Sequence, residues 1–215
     1  MCLYSRTKHT ELKILISNYI FYQYIYALLT LLVFFAPNVT AQNVVNVEGS
    51  GEKWVNIGDL DVSGNQITVE AVMRRQNNAN IISKHDATTD CNYLFRPNSF
   101  QITTTNDFYI CLNPYTLSTN TWYHVAATYD GSSIKYYVDG CLVNEVPATG
   151  DLVTNDWDVA IGSRSNWTNG PEQFRGRIDE VRIWQTARTE QQIRLNMNLL
   201  LNPTAEHDLL GYYKM

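Results

Sequence analysis

The sequence is poor in the residues and spacings that most site chemistry needs. Its four cysteines, Cys2, Cys91, Cys111 and Cys141, form no CxxC pair and no Cys/His spacing, which argues against a zinc site. No G-x-S-x-G, H-E-x-x-H or Ser/His/Asp arrangement is present, so no hydrolase motif is offered. Lysine and arginine number 16 against 21 acidic residues, a formal charge of −5. No basic patch is interleaved with aromatics, so nucleic acid is not an expected partner. No internal repeat is visible. No unbroken apolar run reaches the about 20 residues of a membrane-spanning helix.

Hydrophobic residues make up 45% of the 215, enough for a real core in one domain. Arg6, Lys8 and Lys13 precede an apolar run from Ile25 to Ala36, and Val39-Thr40-Ala41 supplies small residues after it. This is the layout of a secretory signal peptide cut after Ala41. The competing reading, an uncleaved anchor, needs a longer run. The expectation is a signal peptide over 1–41 and one secreted or cell-surface domain over 42–215, without membrane contact after cleavage. Loss of the three basic residues and Glu11 leaves 13 basic and 20 acidic residues, a net −7. Cys91, Cys111 and Cys141 remain in a compartment that permits disulfides. Their odd number leaves at least one thiol alone or joined to another chain. All three pairings stay open, although a meander puts Cys91 and Cys111 at opposite ends of their strands.

The pattern of residues is that of many short strands. Thr121 to Tyr129 and Ile134 to Val138 are rich in Val, Ile, Thr, Tyr and Trp. Asp130-Gly131-Ser132-Ser133 joins them, and Asp139-Gly140 follows, the dipeptide a type I′ turn demands. A two-residue loop there pairs Val138 with Cys141, Tyr137 with Leu142 and Tyr136 with Val143. Ile134, Tyr136, Val138, Cys141 and Val143 then share a core-facing side, with Lys135 and Tyr137 opposite. Further strands are read at 44–47, 54–57, 67–74, 81–83, 93–96, 100–105, 108–112, 159–162 and 209–215. Thr189 with Gln192 makes a capping box, and Ile193, Met197 and Leu200 recur at helical spacing before Asn202-Pro203. The fold class is all-β, a two-sheet antiparallel sandwich with one short C-terminal helix that plugs an edge or end.

Two blocks carry a family resemblance: W-Y-H-V-A-x-T-Y-D-G with Y-V-D-G over 122–140, and F-R-G-R-I-D-E-V-R-I-W over 174–184 followed by Ala187-Arg-Thr189. They resemble the laminin-G-like jelly-roll domains of the concanavalin A-like lectin/glucanase superfamily, over roughly residues 43–215. In that family the last strand runs on into further sequence, which implies that this chain is truncated or part of a larger protein. The resemblance implies fold more sharply than function, since one sandwich hosts lectins, adhesion modules and glycosidases.

The glycosidases of the superfamily carry a Glu-x-Asp-x-x-Glu pattern, because hydrolysis needs two carboxylates on one face. No such run occurs; Asp156-Trp157-Asp158 flanks a strand, and Glu70 is isolated on its own. The expectation is a non-catalytic module. His124 reads as a packed or hydrogen-bonded histidine. Asp179 shares parity with Val181 and Ile183, and a carboxylate on that side needs a cation or backbone donors. The resemblance implies a structural Ca²⁺ there, held by Asp179 with carbonyls around Glu48, Gly49 and Gly51; a salt bridge to Arg175 or Arg177 is the alternative. Glu180 and Arg182 share the opposite side and pair.

Trp54, Trp122 and Trp184 sit in strand signatures and read as core or fold markers. Trp157 and Trp167 lie at or in loops. Trp167, with Asn166 and Arg164 beside it, has the flat ring and donors of a sugar-stacking site; a ring folded back on the sheet is the plainer reading. Asn166-Trp167-Thr168 is also a glycosylation sequon. The candidate ligand residues are therefore Trp167, Asn166, Arg164 and Trp157. The function expected first is recognition of carbohydrate within a larger extracellular protein. The second is a protein-interaction or adhesion module, and the third a glycoside hydrolase.

Overall fold

The Asp139-Gly140 turn forms as its residues demand: φ is 48° at Asp139 and 74° at Gly140, the positive pair of a type I′ reversal. Around it a computed structural model describes residues 45–46, 54–85, 91–164 and 172–215. Thirteen strands alternate along them. They are β1 (Val45–Asn46), β2 (Val55–Asn56), β3 (Ile67–Arg75), β4 (Ile82–His85), β5 (Cys91–Arg96), β6 (Ser99–Thr103) and β7 (Phe108–Leu112), then β8 (Trp122–Tyr129), β9 (Ser133–Val138), β10 (Cys141–Pro147), β11 (Ala160–Ile161), β12 (Gly176–Trp184) and β13 (Leu209–Tyr213). One helix, α1 (Glu190–Asn196), follows β12.

The strands form two antiparallel sheets. One runs β1-β12-β3-β8-β9-β10, with β13 also on β12; the other runs β2-β11-β4-β5-β6-β7. β1 and β13 share one edge of β12, β1 against Arg177 and Ile178 and β13 against Val181 to Trp184. This is the jelly-roll sandwich that the alternating sequence implies. Alternate residues fill its interior: Ile67, Val69, Ala71 and Met73 from β3 meet Tyr93, Phe95, Phe100 and Ile102 from the facing sheet, all without exposed surface. Phe95 stands edge-on to Phe100 at 5.9 Å and lies 5.6 Å from Tyr136, which bridges the layers. The Tyr136 hydroxyl donates to Arg96 O at 2.8 Å, so the ring's polar end is satisfied.

Bulges change two of the expected positions, in β10 and in β12. In β10 the register shifts between Leu142 and Asn144, so Asn144 rather than Val143 faces Tyr136. Cys141 pairs with Val138 as its spacing predicts, yet it is exposed, at the start of the edge strand β10. In β12 the register shifts between Asp179 and Arg182, and Glu180 takes φ = 51°. The extra residue reverses parity. Ile178, opposite Met73, joins Val181 and Ile183 in the interior, and Asp179, opposite Val72, turns outward. Trp122 is a further correction: it is 42% exposed rather than core. Trp184 is buried, but its register with Thr68 puts it on the outer side of the seven-stranded sheet. Among the described residues no disulfide joins the three cysteines, and Cys91 and Cys111 are buried.

Candidate functional site

A sandwich offers two outer faces. That of the seven-stranded sheet is covered over its β3, β8 and β9 centre. The Thr189 hydroxyl accepts from Gln192 N at 3.2 Å while Gln192 Oε1 accepts from Thr189 N at 2.8 Å, the capping box that starts α1. The helix seats Ile193 against Ala126 and Tyr137, so Tyr137, expected to point away from the core, is buried beneath it. The helix ends at Asn196, and Leu200 is exposed rather than part of the apolar stripe.

Under this cover lies a charged network. Glu70 is fully buried, and Arg188 Nη1 is 2.5 Å and His124 Nε2 3.2 Å from its oxygens. Burial alone would raise the pKa of Glu70, but the His124 hydrogen bond and the Arg188, His124 and Arg182 charges outweigh it and hold the carboxyl low. Glu70 is thus far from isolated. His124 is hydrogen-bonded, as its setting predicted. Arg182 joins Glu180 at 2.9 Å and donates to Asn196 O and Leu199 O, binding the carbonyls at the end of α1. The Glu180–Arg182 pair therefore forms as read. Tyr212 donates to Glu180 Oε2 at 2.6 Å, and burial with that carboxylate pushes its pKa up to about 12.

Asp179 takes the backbone-donor solution to its burial. Oδ1 accepts from Glu180 N at 2.8 Å and Met215 N at 3.0 Å. Glu48 and Gly49 lie outside the described residues. Among the described residues no group of three or more His, Cys, Asp or Glu could hold a metal. The donor set they provide, one carboxylate oxygen already facing two N–H groups, fits a Ca²⁺ poorly, since that ion takes six to eight oxygens. No step is assigned to it.

The outer face of the six-stranded sheet is divided. On its β4 and β11 half, Ser83, Leu94 and Ala160 are buried, and Ser83 Oγ donates to Ser163 O at 2.7 Å. Beside them Glu172 gathers three bases: Arg96 at 3.3 Å, Arg164 at 3.5 Å and His85 at 3.6 Å. Arg96 Nε also donates to Asn80 Oδ1 at 2.7 Å. The β6 and β7 half is open. There Thr103 faces Phe108, Gln101 faces Ile110 and Ser99 faces Leu112. Phe108 and Ile110 are each 44% exposed and Leu112 57%. An open row of apolar side chains beside an amide and hydroxyls, with Arg96 and Glu172 at one end, can stack on a ring face and bond its substituents.

Of the ligand residues expected from the sequence, Asn166 and Trp167 fall outside the described residues. Arg164 and Trp157 are at opposite ends of β11 and do not form one site. Arg164 is buried and held by Glu172. Trp157 is half-buried and lines a cleft of about 450 Å³ with Thr154, Asn155 and Asp156. Its backbone carbonyl accepts from Lys84, a fully buried ammonium that also pairs with Asp59 and, at 3.1 Å, with Asp61. Asp158, in the loop, accepts from Asn56 Nδ2 at 2.7 Å. Gln101, Phe108, Arg96 and Glu172 were missed by the sequence reading. The alternation of FYICL was legible, but not which sheet the helix would leave uncovered.

A family model described as the concanavalin A-like lectin/glucanases superfamily, of laminin-G type, matches residues 49–194, and the chain belongs to that family. A curated relative, mouse pappalysin-1, is 34% identical over 82 residues, 35% of this chain and 5% of that protein. A putative carbohydrate binding protein from Bacteroides ovatus has a similar structure, with a TM-score of 0.61 at 24% identity, over 80% of this chain and 52% of that one. A CBM40 module of a Ruminococcus gnavus sialidase, solved with α2,3-sialyllactose, has a TM-score of 0.53 at 14% identity, over 72% of this chain and 96% of that one. The chain thus spans a small fraction of the curated relative and about half of the Bacteroides chain. Among the described residues no helix is long and apolar enough to cross a membrane.

Proposed function

We propose that this chain is a non-catalytic carbohydrate-binding module, secreted or on the cell surface, working within a larger extracellular protein. The observation that carries the reading is the division of the two outer faces. The helix and the Glu70 network close one, and the other stays open over Phe108, Thr103 and Gln101 with Arg96 and Glu172 at its end. Aromatic and amide groups side by side suit the apolar and hydroxyl faces of a sugar. The fold likeness to solved carbohydrate-binding proteins supports the reading. A glycan array probed with the full chain tests it: selective binding that is lost in Phe108→Ala and Gln101→Ala is the expected result. A blank array, or binding that both variants retain, overturns the site.

A second reading, a protein-interaction or adhesion module without a sugar site, is favoured by one feature, the exposed apolar row of β7. A protein partner captured with no glycan bound would establish it. The Ca²⁺ expected at Asp179 with the Glu48–Gly49 segment is not part of this reading, and thermal unfolding with and without the ion decides it.

A further inference from the structure

The cover over the seven-stranded sheet has a gap. Past α1 the chain runs on through Met197 to Leu200, and between that stretch and the sheet lies a pocket of about 190 Å³. Its lining joins four apolar residues, Val72, Met197, Leu199 and Leu200, to two acidic ones, Asp179 and Glu180. The bulge of β12 brings Asp179 there. Unbroken parity would keep it inside with Val181 and Ile183; with the extra residue at Glu180 it lies opposite Val72 on the outer side.

The two acids differ. Glu180 is matched: Arg182 Nη2 lies 2.9 Å away, and Tyr212 donates to Oε2 at 2.6 Å. Asp179 is only 6% exposed, and its charge is not matched. Glu180 N and Met215 N both go to Oδ1, and among the described residues no donor or basic side chain reaches Oδ2. A carboxylate so far removed from water costs stability unless its charge is met. The neighbouring guanidiniums are committed elsewhere, Arg182 to Glu180 and Arg188 to Glu70. Arg74 and Arg177 lie one row nearer the sheet end, opposite each other, and line no part of the pocket.

We infer that this pocket receives one ammonium group, the side chain of a lysine on a protein partner. The donor set chooses lysine over other cations. Ca²⁺ takes six to eight oxygens, far more than the pocket offers. A guanidinium grips a carboxylate through a two-pronged fork, and Oδ1 is already taken. An ammonium is compact and can bond a single oxygen, and its four-carbon stem suits apolar walls. The rim suits a protein. Leu199 and Leu200 are 55% and 61% exposed beside the pocket, apolar surface for a partner to cover around a charged anchor. The chain's net charge of −5 draws basic partners. Arg182 holds Asn196 O and Leu199 O, so the wall on the α1 side is in place before a ligand arrives. The inference does not depend on what the open face of the six-stranded sheet binds.

NMR titration of the full chain with a Gly-Lys-Gly peptide blocked at both ends tests it, in EDTA so that no metal takes part. The backbone amides of Glu180 and of 197–200 should shift saturably at millimolar peptide. The same peptide carrying Nε-acetyl-lysine, which has no charge, should shift nothing, and the arginine peptide should bind more weakly. Asp179→Asn removes the charge but keeps an acceptor for the two N–H groups, and should abolish the shifts. Leu200→Arg sets a guanidinium at the mouth from an exposed position, leaves Asp179 in place, and should abolish them too with an unchanged circular dichroism spectrum. No saturable shift, the result for a pocket that holds water only, overturns the inference. So do shifts that the acetylated or the arginine peptide matches, or that survive in both variants.

Discussion

Arg188 reaches Glu70 across 118 positions of sequence, its Nη1 2.5 Å from Oε1 and its guanidinium stacked 4.1 Å above the Trp184 ring. The segment leading into α1 is thereby tied to the centre of β3 by a buried ion pair. Such a pair is costly to break from one side, because the remaining charge has no water to return to. Glu70→Gln should lower the unfolding free energy by about 3–5 kcal/mol, measured by chemical denaturation. Arg188→Ala should cost a similar amount and also lose the ring contact.

The same carboxylate sets a pH dependence. Its folded pKa is depressed, so its contribution is complete above the unfolded value of about 4.3 and is lost as pH falls through the lower folded value. Melting temperature against pH should fall on the acid side of that value. The fall should be shallower in Glu70→Gln, and an equal slope in the two proteins would remove Glu70 from the account.

Asp179 accepts two backbone N–H groups, so its substitution should act without regard to calcium. Asp179→Asn is expected to cost about 1–3 kcal/mol, with the same change in Tm in EDTA as in millimolar Ca²⁺. A Ca²⁺-dependent rise in Tm that Asp179→Asn abolishes would establish the ion instead.

Of the three cysteines beyond Ala41, only Cys141 is exposed. Burial, with Glu145 adding to it, pushes the Cys111 thiol up to about 11, so it carries little thiolate near neutral pH. A thiol reagent should label Cys141 in the native protein and reach Cys91 and Cys111 only on unfolding. Mass spectrometry of the modified peptides decides it.

Lys84 is the pin of the loop before β11. Its partners Asp59 and Asp61 have exposed side chains, so removing the ammonium strands no buried charge, unlike the loss of Glu70. Lys84→Met should therefore cost less, about 1–3 kcal/mol. It should release the 153–159 loop, seen as faster proteolysis there and a shift in Trp157 emission.

What could be read from the sequence was local. Asp139-Gly140 specifies its own turn, and Thr189 with Gln192 specifies the start of α1, because the interacting groups lie within four residues. Strand alternation placed Ile134 and Tyr136 in the core, and both are fully buried. It failed at Asp179 because parity survives only unbroken pairing, and Glu180 adds a residue with no glycine to announce it. Glu70 looked isolated because its partners lie far along the chain and meet only in the fold. The open face escaped for the same reason. Phe108 and Gln101 become a surface only once α1 has covered the opposite sheet.

The pairing of β3 with β12 has a kinetic consequence. These strands are neighbours at the centre of the larger sheet, yet nearly the whole sandwich is synthesised between them, and β13 then completes the edge of β12. Closing so long a loop before any reward from contact makes folding slow and late. On the ribosome β3 must wait with one backbone edge unpaired until β12 emerges, and a chaperone is the natural occupant of that interval.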